Sequence, residues 1–168
     1  GIGFETARAL AAKGTQTILA CRNMEKAQAA LDKIEAEIPH APAEIMQLDL
    51  ASQDSVQRFA EAFLAKYDRL DILVNNAGIM MVPYGRTEDG FERQFGTNHL
   101  GHFALTGLLR ETIESTPGAR IVNVSSSAHR YGSGTIEFNN LNAEKGYSAT
   151  GAYAQSKLAN LLFTRELN

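Results

Sequence analysis

Short apolar runs alternate along the chain with longer stretches in which apolar residues recur every third or fourth position. The runs at residues 16–22, 44–48, 71–75 and 120–124 predict four buried strands. The longer stretches predict helices at about residues 4–13, 23–38, 52–67 and 87–116, and a last helix that carries Tyr153 and Lys157. Asn23 and Ser52 are placed to cap two of these helices, and Gly14 is placed to end the first. Residues 128–151, rich in Gly, Ser and Asn, predict a loop.

Strands that alternate with helices of ten or more residues favour right-handed βαβ units. The sequence therefore predicts an α/β fold, with a doubly wound, Rossmann-like parallel sheet between two layers of helices. Residues 1–168 show no break in composition and predict a single domain. In such sheets ligands bind where the strands end. Polar or small residues follow the predicted strands at Arg22, Asp49, residues 75–78 and residues 125–127.

Composition narrows the classes of function. The 168 residues are 44% hydrophobic and 21% charged, with a net charge of -3, which gives no reason to expect nucleic acid or an anionic membrane as a partner. The one cysteine, Cys21, excludes an internal disulfide framework and a cysteine-based zinc site. No run approaches the roughly 20 apolar residues of a membrane-spanning helix, and no signal peptide opens the chain. We therefore expect a cytoplasmic protein.

Both ends of the chain suggest a piece of a longer protein. The segment Gly1-Ile2-Gly3 resembles the end of a glycine-rich turn that leads into a helix, and nothing precedes it. The far end stops within a helical pattern. Two glycines without side chains would let the backbone approach a pyrophosphate at the positive end of the helix, although an ordinary turn has the same appearance.

Tyr153 and Lys157 carry the strongest chemical signal. Four residues apart in a helix, they leave the same face one turn apart. An ammonium held beside a phenol stabilises the phenolate, so that the phenol can exchange a proton with a carbonyl or alcohol oxygen. The alternative is a surface tyrosine beside a solvated lysine.

Two segments after strands could bind a dinucleotide. Arg22 stands where an acidic residue would bind a free ribose 2'-hydroxyl, and a guanidinium there pairs with a 2'-phosphate, which favours NADP over NAD. Asn75-Asn76-Ala77-Gly78 could turn sharply and leave space for a flat ligand. The alternatives are a solvated arginine and a generic Asn-Gly-type turn.

Asn98 lies on the helix stripe of Phe91 and Phe95 and should face inward. It is either a structural amide that ties helix to strand or a polar relay beneath an active-site lysine.

A hydroxyl among Ser125, Ser126 and Ser127 could hold a substrate oxygen near Tyr153. His99 and His102 lack the carboxylate or cysteine that would complete a metal set, so we interpret them as core or interface residues and expect no metal.

Taken together, these residues resemble the short-chain dehydrogenase/reductase family, and within it the branch of retinol dehydrogenases and WW-domain oxidoreductases. The matching motifs follow the family's order along the whole chain: Gly1-Ile2-Gly3, Asp49-Leu50, Asn75-Asn76-Ala77-Gly78, Asn98, Ser125-Ser126 and Tyr153-x3-Lys157. In this fold, the resemblance implies, the first strand lies between the strands at residues 17–22 and 71–75. That strand and the C-terminal substrate loop are absent from the chain, and the loss of the strand would expose strand edges.

The resemblance implies a role for each matching residue. Tyr153 would be the general acid/base, with Lys157 beside it on the nicotinamide ribose. Ser126 would orient the substrate oxygen, and Asn98 would hold a water in a proton relay to Lys157. The cofactor, NADP(H) rather than NAD(H), would be bound by Gly1, Ile2, Gly3, Arg22, Asn23, Asp49, Leu50, Asn75, Ala77, Gly78, Val124, Tyr153 and Lys157.

The expected function is therefore an NADP-dependent oxidoreductase that acts on a lipophilic or otherwise small carbonyl or alcohol. One alternative is a dinucleotide-binding module without turnover, or an inactive fragment. The complete set of Asn98, Ser126, Tyr153 and Lys157 argues against it, since a sensor needs no proton donor. A sugar-nucleotide epimerase uses a similar tyrosine and lysine, but the loop at residues 75–78 resembles that group less. The family also implies a homo-oligomer, and some members of the branch carry a membrane anchor.

Overall fold

The computed structural model describes residues 1–168, in which helices and parallel strands alternate as the sequence predicts. Its contacts group into two units, Gly1–Asp49 and Leu50–Asn168. The strands form two two-stranded parallel sheets. This is the Rossmann-like α/β class of fold, as predicted. The expectation of a single domain stays a prediction.

The first unit is built on a parallel strand pair. It contains α1 (Ile2–Ala11), β1 (Thr17–Cys21), α2 (Met24–Glu37) and β2 (Ala43–Gln47). β1 pairs with β2 in a register that sets Thr17 opposite Ala43. Small and branched side chains from α1, β1 and α2 form its core: Ala7, Ala11, Leu19 and Ile34.

Local signals fix the helix ends in this unit. The Asn23 side chain accepts a hydrogen bond from the Lys26 backbone N–H at 2.9 Å, which satisfies one of the amides that the first turn of α2 leaves unpaired. Gly14 follows α1 with a φ of +78°, the left-handed conformation that commonly ends a helix. Both predicted caps are confirmed.

The second unit holds the other strand pair. Its regular elements are α3 (Gln53–Lys66), β3 (Ile72–Asn75), α4 (Arg93–Phe95), a π-helical turn (Gly96–Leu100), α5 (Gly101–Leu108), α6 (Arg110–Ser115), β4 (Arg120–Asn123), 3₁₀ turns at Ser127–Tyr131 and Phe138–Asn140, and α7 (Ala149–Glu166). β3 and β4 are parallel, with Asn75 opposite Asn123. The predicted cap of α3 is confirmed, because Ser52 accepts from the Ser55 N–H at 3.4 Å.

The strands of the second unit are not fully covered. Ile72 in β3 is 39% exposed and Val122 in β4 is 45% exposed. Inner strands of a doubly wound sheet are normally covered on both faces. This exposure shows that side chains on the faces of β3 and β4 are partly open, and the expectation of open strand edges stays a prediction. No helix is both long and apolar enough to cross a bilayer.

The single long helix predicted for residues 87–116 is wrong. Thr87 N–H bonds to the Phe91 carbonyl at 2.8 Å, so this segment closes a turn before the helix begins. The Glu92 carboxylate then accepts from the N–H groups of Gln94 and Phe95 at 2.9 and 2.7 Å and starts α4 at Arg93. The predicted helix is also divided by the π-helical turn and by a break at Leu109. Apolar periodicity registers none of these features, because they rest on hydrogen bonds of polar side chains and main-chain groups.

Candidate active site

Tyr153 and Lys157 lie one turn apart on α7, as predicted, and both are buried, with exposed fractions of 9% and 4%. The lysine Nζ lies 5.7 Å from the centre of the tyrosine ring. The Ser148 side chain caps the helix by accepting from the Gly151 N–H at 3.2 Å. The alternative of a surface tyrosine beside a solvated lysine is therefore wrong.

Lys157 is a buried cation with a single side-chain hydrogen bond. Its Nζ donates to the Val124 carbonyl at 3.1 Å, at the end of β4. Burial lowers the pKa of Lys157 below the ordinary value for lysine, because desolvation disfavours the charged form. An ammonium in this state gains more from a nearby anion than a solvated one would.

Asn98 is fully buried in the π-helical turn. Its side chain exchanges two hydrogen bonds with the backbone of Ile79, accepting from the N–H at 2.8 Å and donating to the carbonyl at 2.9 Å. It also donates to Ser156 Oγ at 3.0 Å, and that hydroxyl donates to the Tyr153 carbonyl at 2.7 Å. Asn98 is thus a structural amide, but it ties the π-helical turn to α7 and to the loop after Gly78, and not to a strand as the structural interpretation predicts. The relay role stays a prediction.

The three serines after β4 differ in what their hydroxyls do. Ser125 Oγ donates to the Lys157 carbonyl at 2.7 Å, so its proton is engaged. Ser126 Oγ accepts from the Ala128 N–H at 3.2 Å and keeps its own proton for another acceptor. Ser127 is exposed. The turn that starts at Ser127 packs against α7, and Ser126 directly precedes that turn.

The loop after β3 divides into a buried and an open part. Asn75 is 2% exposed, and its Nδ2 donates to Thr106 Oγ1 at 3.1 Å and to Asn123 Oδ1 at 2.8 Å. Ala77 and Gly78 are exposed. A Cβ added at Gly78 would lie 3.1 Å from Asn98 Oδ1 and 3.6 Å from Lys157 Nζ. The glycine therefore leaves an open backbone surface beside the lysine, which fits the flat cofactor expected there.

The first unit carries the remaining predicted cofactor residues. Gly1 caps α1, and a Cβ there would meet no other atom within 4 Å. Ile2 is 72% exposed, and Gly3 is half-buried. Arg22 directly follows β1 and is exposed without an ion-pair partner, which fits an anionic ligand group. Asn23 is exposed, although its side chain is engaged in capping α2.

Asp49 and Leu50 come two and three residues after the last residue of β2. Asp49 is half-buried and ends the first unit, whereas Leu50 is 6% exposed and begins the second. Their predicted roles, like the roles of the other cofactor residues, stay predictions.

Sequence reasoning missed three buried polar residues that support this site. Ser156 and Asn160 are 0% and 3% exposed, and Gln94 is 0% exposed. Gln94 accepts from the Met81 N–H at 2.7 Å and donates to Tyr147 Oη and the Ala149 carbonyl, both at 2.9 Å. Spacing could have found two of them, because Ser156 lies three residues after Tyr153 and Asn160 lies three after Lys157.

The histidines serve the packing of the second unit. His102 is 4% exposed, and burial lowers its pKa to about 4. Its Nδ1 lies 2.9 Å from the Asn98 carbonyl, which can only accept, so Nδ1 carries the proton. His129 Nδ1 donates in the same way to the Ser126 carbonyl at 2.6 Å. No group of three or more His, Cys, Asp or Glu side chains is arranged to hold a metal ion.

Comparison with known proteins identifies relatives over the whole chain. A family model described as short chain dehydrogenase matches residues 1–168. Retinol dehydrogenase 12 of Mus musculus is 50% identical over 167 residues, which cover 99% of this chain and 52% of the relative. Retinol dehydrogenase 13 of Homo sapiens is 48% identical over 169 residues, which cover 100% of this chain and 50% of the relative. The chain thus spans about half the length of these curated relatives.

Solved structures show the same fold. A crystal structure of a protein from Mycobacterium Paratuberculosis is 47% identical with a TM-score of 0.83, covering 98% of this chain and 56% of that one. A short chain dehydrogenase from Shigella flexneri complexed with NADP is 28% identical with a TM-score of 0.77, covering 99% of this chain and 66% of that one.

Proposed function

The chain belongs to the short-chain dehydrogenase family, and we propose that it is the part of an NADP-dependent oxidoreductase that binds the dinucleotide and carries the proton-transfer residues. The observation that carries the proposal is the burial of Tyr153 and Lys157 together on one face of α7. Burying an ammonium that has only one hydrogen bond lowers the stability of the fold, and a functional role explains why the lysine is nevertheless buried. The relatives are named as dehydrogenases, which favours this reaction over an epimerase.

The surroundings of each residue in the proposed site support a chemical role for it. The bound nicotinamide would supply or accept a hydride at the carbonyl carbon. Tyr153 would transfer the accompanying proton between its phenol oxygen and the substrate oxygen. Lys157 would stabilise the phenolate form of Tyr153, while the Ser126 hydroxyl donates to the substrate oxygen and holds it in place. Asn98 would keep the π-helical turn and α7 in register.

NADP(H) is proposed over NAD(H). The exposed Arg22 at the end of β1 supports this choice, because a guanidinium pairs with a phosphate and no carboxylate stands there to bind a 2'-hydroxyl. The NADP complex of the related Shigella flexneri protein points the same way. In the second unit, the exposed backbone at Ala77 and Gly78 would face the cofactor beside Lys157.

A lipophilic alcohol or carbonyl compound is the proposed substrate. Retinol appears in the names of the curated relatives. Apolar side chains stand exposed on two loops adjoining the site residues: Met80 and Met81 follow Gly78, and Phe138 lies between Ser126 and Tyr153 in the chain. They are 60%, 48% and 80% exposed, and covering such surface would favour an apolar ligand. A homo-oligomer and a cytoplasmic location are further proposals, which the resemblance and the composition respectively support.

The test combines cofactor binding with turnover. The protein is titrated with NADPH and, separately, with NADH, followed by nicotinamide fluorescence, and then assayed with a series of lipophilic aldehydes. We expect tighter binding of NADPH and measurable reduction. In Tyr153→Phe we expect turnover to fall by about a hundredfold or more while NADPH affinity persists.

Tyr131→Phe, which removes an exposed phenol from the 3₁₀ turn, is the matched control and should keep full turnover. Equal turnover in Tyr153→Phe and the unsubstituted protein would refute the catalytic role. NADPH binding without turnover on any aldehyde would instead favour the dinucleotide-binding module.

A further inference from the structure

Asn160 is a buried amide on α7 that bridges two carbonyls near the proposed site. It is 3% exposed and lies one turn after Lys157. Its Nδ2 donates to the Asn98 carbonyl at 3.1 Å and to the Val124 carbonyl at 3.4 Å. The second of these carbonyls also accepts from Lys157 Nζ at 3.1 Å. One oxygen at the end of β4 therefore receives both the amide and the ammonium.

The two carbonyl acceptors fix the orientation of this amide, and His99 contacts its oxygen. The Asn160 Oδ1 atom lies 3.1 Å from His99 Nδ1. Both Asn160 N–H groups point at carbonyls, so its Oδ1 must be the acceptor and His99 Nδ1 must carry the proton. The imidazole is itself held among three aromatic rings, those of Phe95, Phe103 and Phe163, with centroids 5.3, 6.0 and 6.0 Å away. A reversed amide would set its oxygen against two carbonyl oxygens.

We propose that Asn160, supported by a hydrogen bond from His99, is a positioning residue that holds the Val124 carbonyl in place and through it sets the position of Lys157 Nζ. The proposal rests on the proposed function insofar as Lys157 acts on the cofactor and Tyr153. The placement of Lys157 Nζ by these hydrogen bonds can be tested without measuring turnover. Without Asn160, the carbonyl at the end of β4 keeps only its bond to the lysine, and both groups become free to move together.

The position of Nζ matters because Lys157 has no other side-chain anchor. It makes one hydrogen bond, to a strand end that is followed directly by the serine loop. The π-helical turn depends on the same amide, since the Asn98 carbonyl accepts from both Asn160 Nδ2 and His102 Nδ1. π-Helical turns place backbone groups outside the regular i→i−4 pattern and are frequent at functional sites. Asn160 thus connects the end of β4, the π-helical turn and α7 at one point.

Another residue of the same helix, Thr164, serves as the control for a purely structural role of Asn160. Thr164 lies one turn further along α7, and its hydroxyl accepts from Asn123 Nδ2 at 3.0 Å, which also links α7 to β4. This link does not reach Val124 or Asn98. The proton of the Thr164 hydroxyl goes to the main-chain carbonyl of Asn160 at 2.8 Å and leaves the Asn160 side chain untouched. Thr164→Val therefore removes a helix–strand hydrogen bond without touching the carbonyl that holds Lys157.

The first experiment measures the titration of Lys157 in the protein without cofactor. Lysines are reductively methylated with ¹³C-formaldehyde, the Lys157 signal is assigned with Lys157→Met, and its pKa is followed by NMR. In Asn160→Leu we expect the pKa of Lys157 to move up toward the ordinary lysine value, because Nζ can then leave its buried position. Thr164→Val should leave it unchanged. No movement in Asn160→Leu, or an equal movement in Thr164→Val, would overturn the proposal.

His99 variants test the same chain of contacts without altering the buried amide, and they serve if Asn160→Leu does not fold. His99→Phe keeps an aromatic ring among its neighbours but removes the donor to Asn160 Oδ1, and we expect a smaller movement of the Lys157 pKa in the same direction. His99→Asn restores a donor at a similar place and should reverse the movement. If His99→Phe and His99→Asn behave alike, the hydrogen bond from the imidazole does not support Asn160.

The second experiment is a double-mutant cycle in NADPH affinity. We expect Asn160→Leu to weaken NADPH binding about tenfold, the equivalent of one hydrogen bond, and to have less than a twofold effect in the Lys157→Met background. Equal effects in both backgrounds would contradict positioning through the lysine. Failure of the unsubstituted protein to bind NADPH would refute the proposed function, and the titration of Lys157 would still decide the role of Asn160.

Discussion

Ser125 donates a hydrogen bond of 2.7 Å from its hydroxyl to the main-chain carbonyl of Lys157. The bond fixes the end of β4 to α7 and engages the only proton of this hydroxyl. The neighbouring Ser126 hydroxyl accepts from the Ala128 N–H and keeps its proton. Two adjacent serines of identical chemistry thus receive different roles from the backbone groups around them.

The serines should separate activity from stability. Ser126→Ala removes the hydroxyl proposed to hold the substrate oxygen, and we expect kcat/KM to fall about a hundredfold with little change in thermal stability. Ser125→Ala should lower the free energy of unfolding by about 1 kcal/mol through the lost bond to α7. Steady-state kinetics and chemical denaturation measure the two effects. Ser127→Ala is the control for both, and a larger loss of kcat/KM in Ser125→Ala than in Ser126→Ala would reverse the assignment.

Lys157 should be required for activity and unfavourable for stability. Its pKa is lowered by burial, which means that the folded state disfavours the ammonium relative to the unfolded state. We expect Lys157→Met to reduce turnover by about a hundredfold or more and to raise the melting temperature. Differential scanning calorimetry at neutral pH checks the second part. A lower melting temperature would show that the bond to Val124 outweighs the cost of burying the charge.

Arg22 should select between the two cofactors. We expect Arg22→Ser to weaken NADPH binding about tenfold to a hundredfold, because a charge-assisted bond to the 2'-phosphate is lost, while NADH binding stays unchanged. Fluorescence titration at low ionic strength measures both affinities. The control is Arg130→Ser, another exposed arginine, which should change neither. A parallel loss of NADPH and NADH affinity in Arg22→Ser would argue against recognition of the phosphate.

His102 should make the protein less stable in mild acid. Burial holds its folded-state pKa at about 4, below the ordinary value of about 6.5, so the unfolded chain binds a proton first as pH falls. The contribution of the neutral, buried His102 to the free energy of unfolding is complete above about pH 6.5 and is lost as the pH falls from there toward 4. The free energy of unfolding lost in this way is about 2 kcal/mol between about pH 7.5 and pH 5.

His102→Asn places an amide N–H where Nδ1 lies, so it retains a donor for the Asn98 carbonyl, but it does not titrate. We therefore expect the loss of stability between these two pH values to be smaller in the variant by about that amount, measured by urea unfolding at each pH. The same loss in both proteins would mean that other groups cause the acid sensitivity.

The elements with strong local signals could be predicted from the sequence. The strands, the caps at Asn23 and Ser52, and the shared face of Tyr153 and Lys157 all follow from periodicity and side-chain type within a few neighbouring residues. The division of the helix predicted for residues 87–116 could not be predicted from apolar periodicity. The helix begins only after the capping carboxylate of Glu92, and the π-helical turn within it is held by Asn160, far along the chain. Hydrogen bonds between distant segments leave no period in the sequence.

The order of amino acids is enough to establish the class of fold, the family resemblance and the set of residues able to transfer a proton. Their types and spacing suffice, since a helix face and a strand end are local geometries. Tertiary structure decided which polar groups are engaged and which remain available. It engages Ser125 and leaves the Ser126 proton available, and it makes Asn98 a fully bonded tie. It also gives Lys157 one carbonyl, shared with Asn160. The physical reason is that a hydrogen bond depends on distance and direction between atoms, and only the folded chain brings residues 98, 124 and 160 within reach of one another.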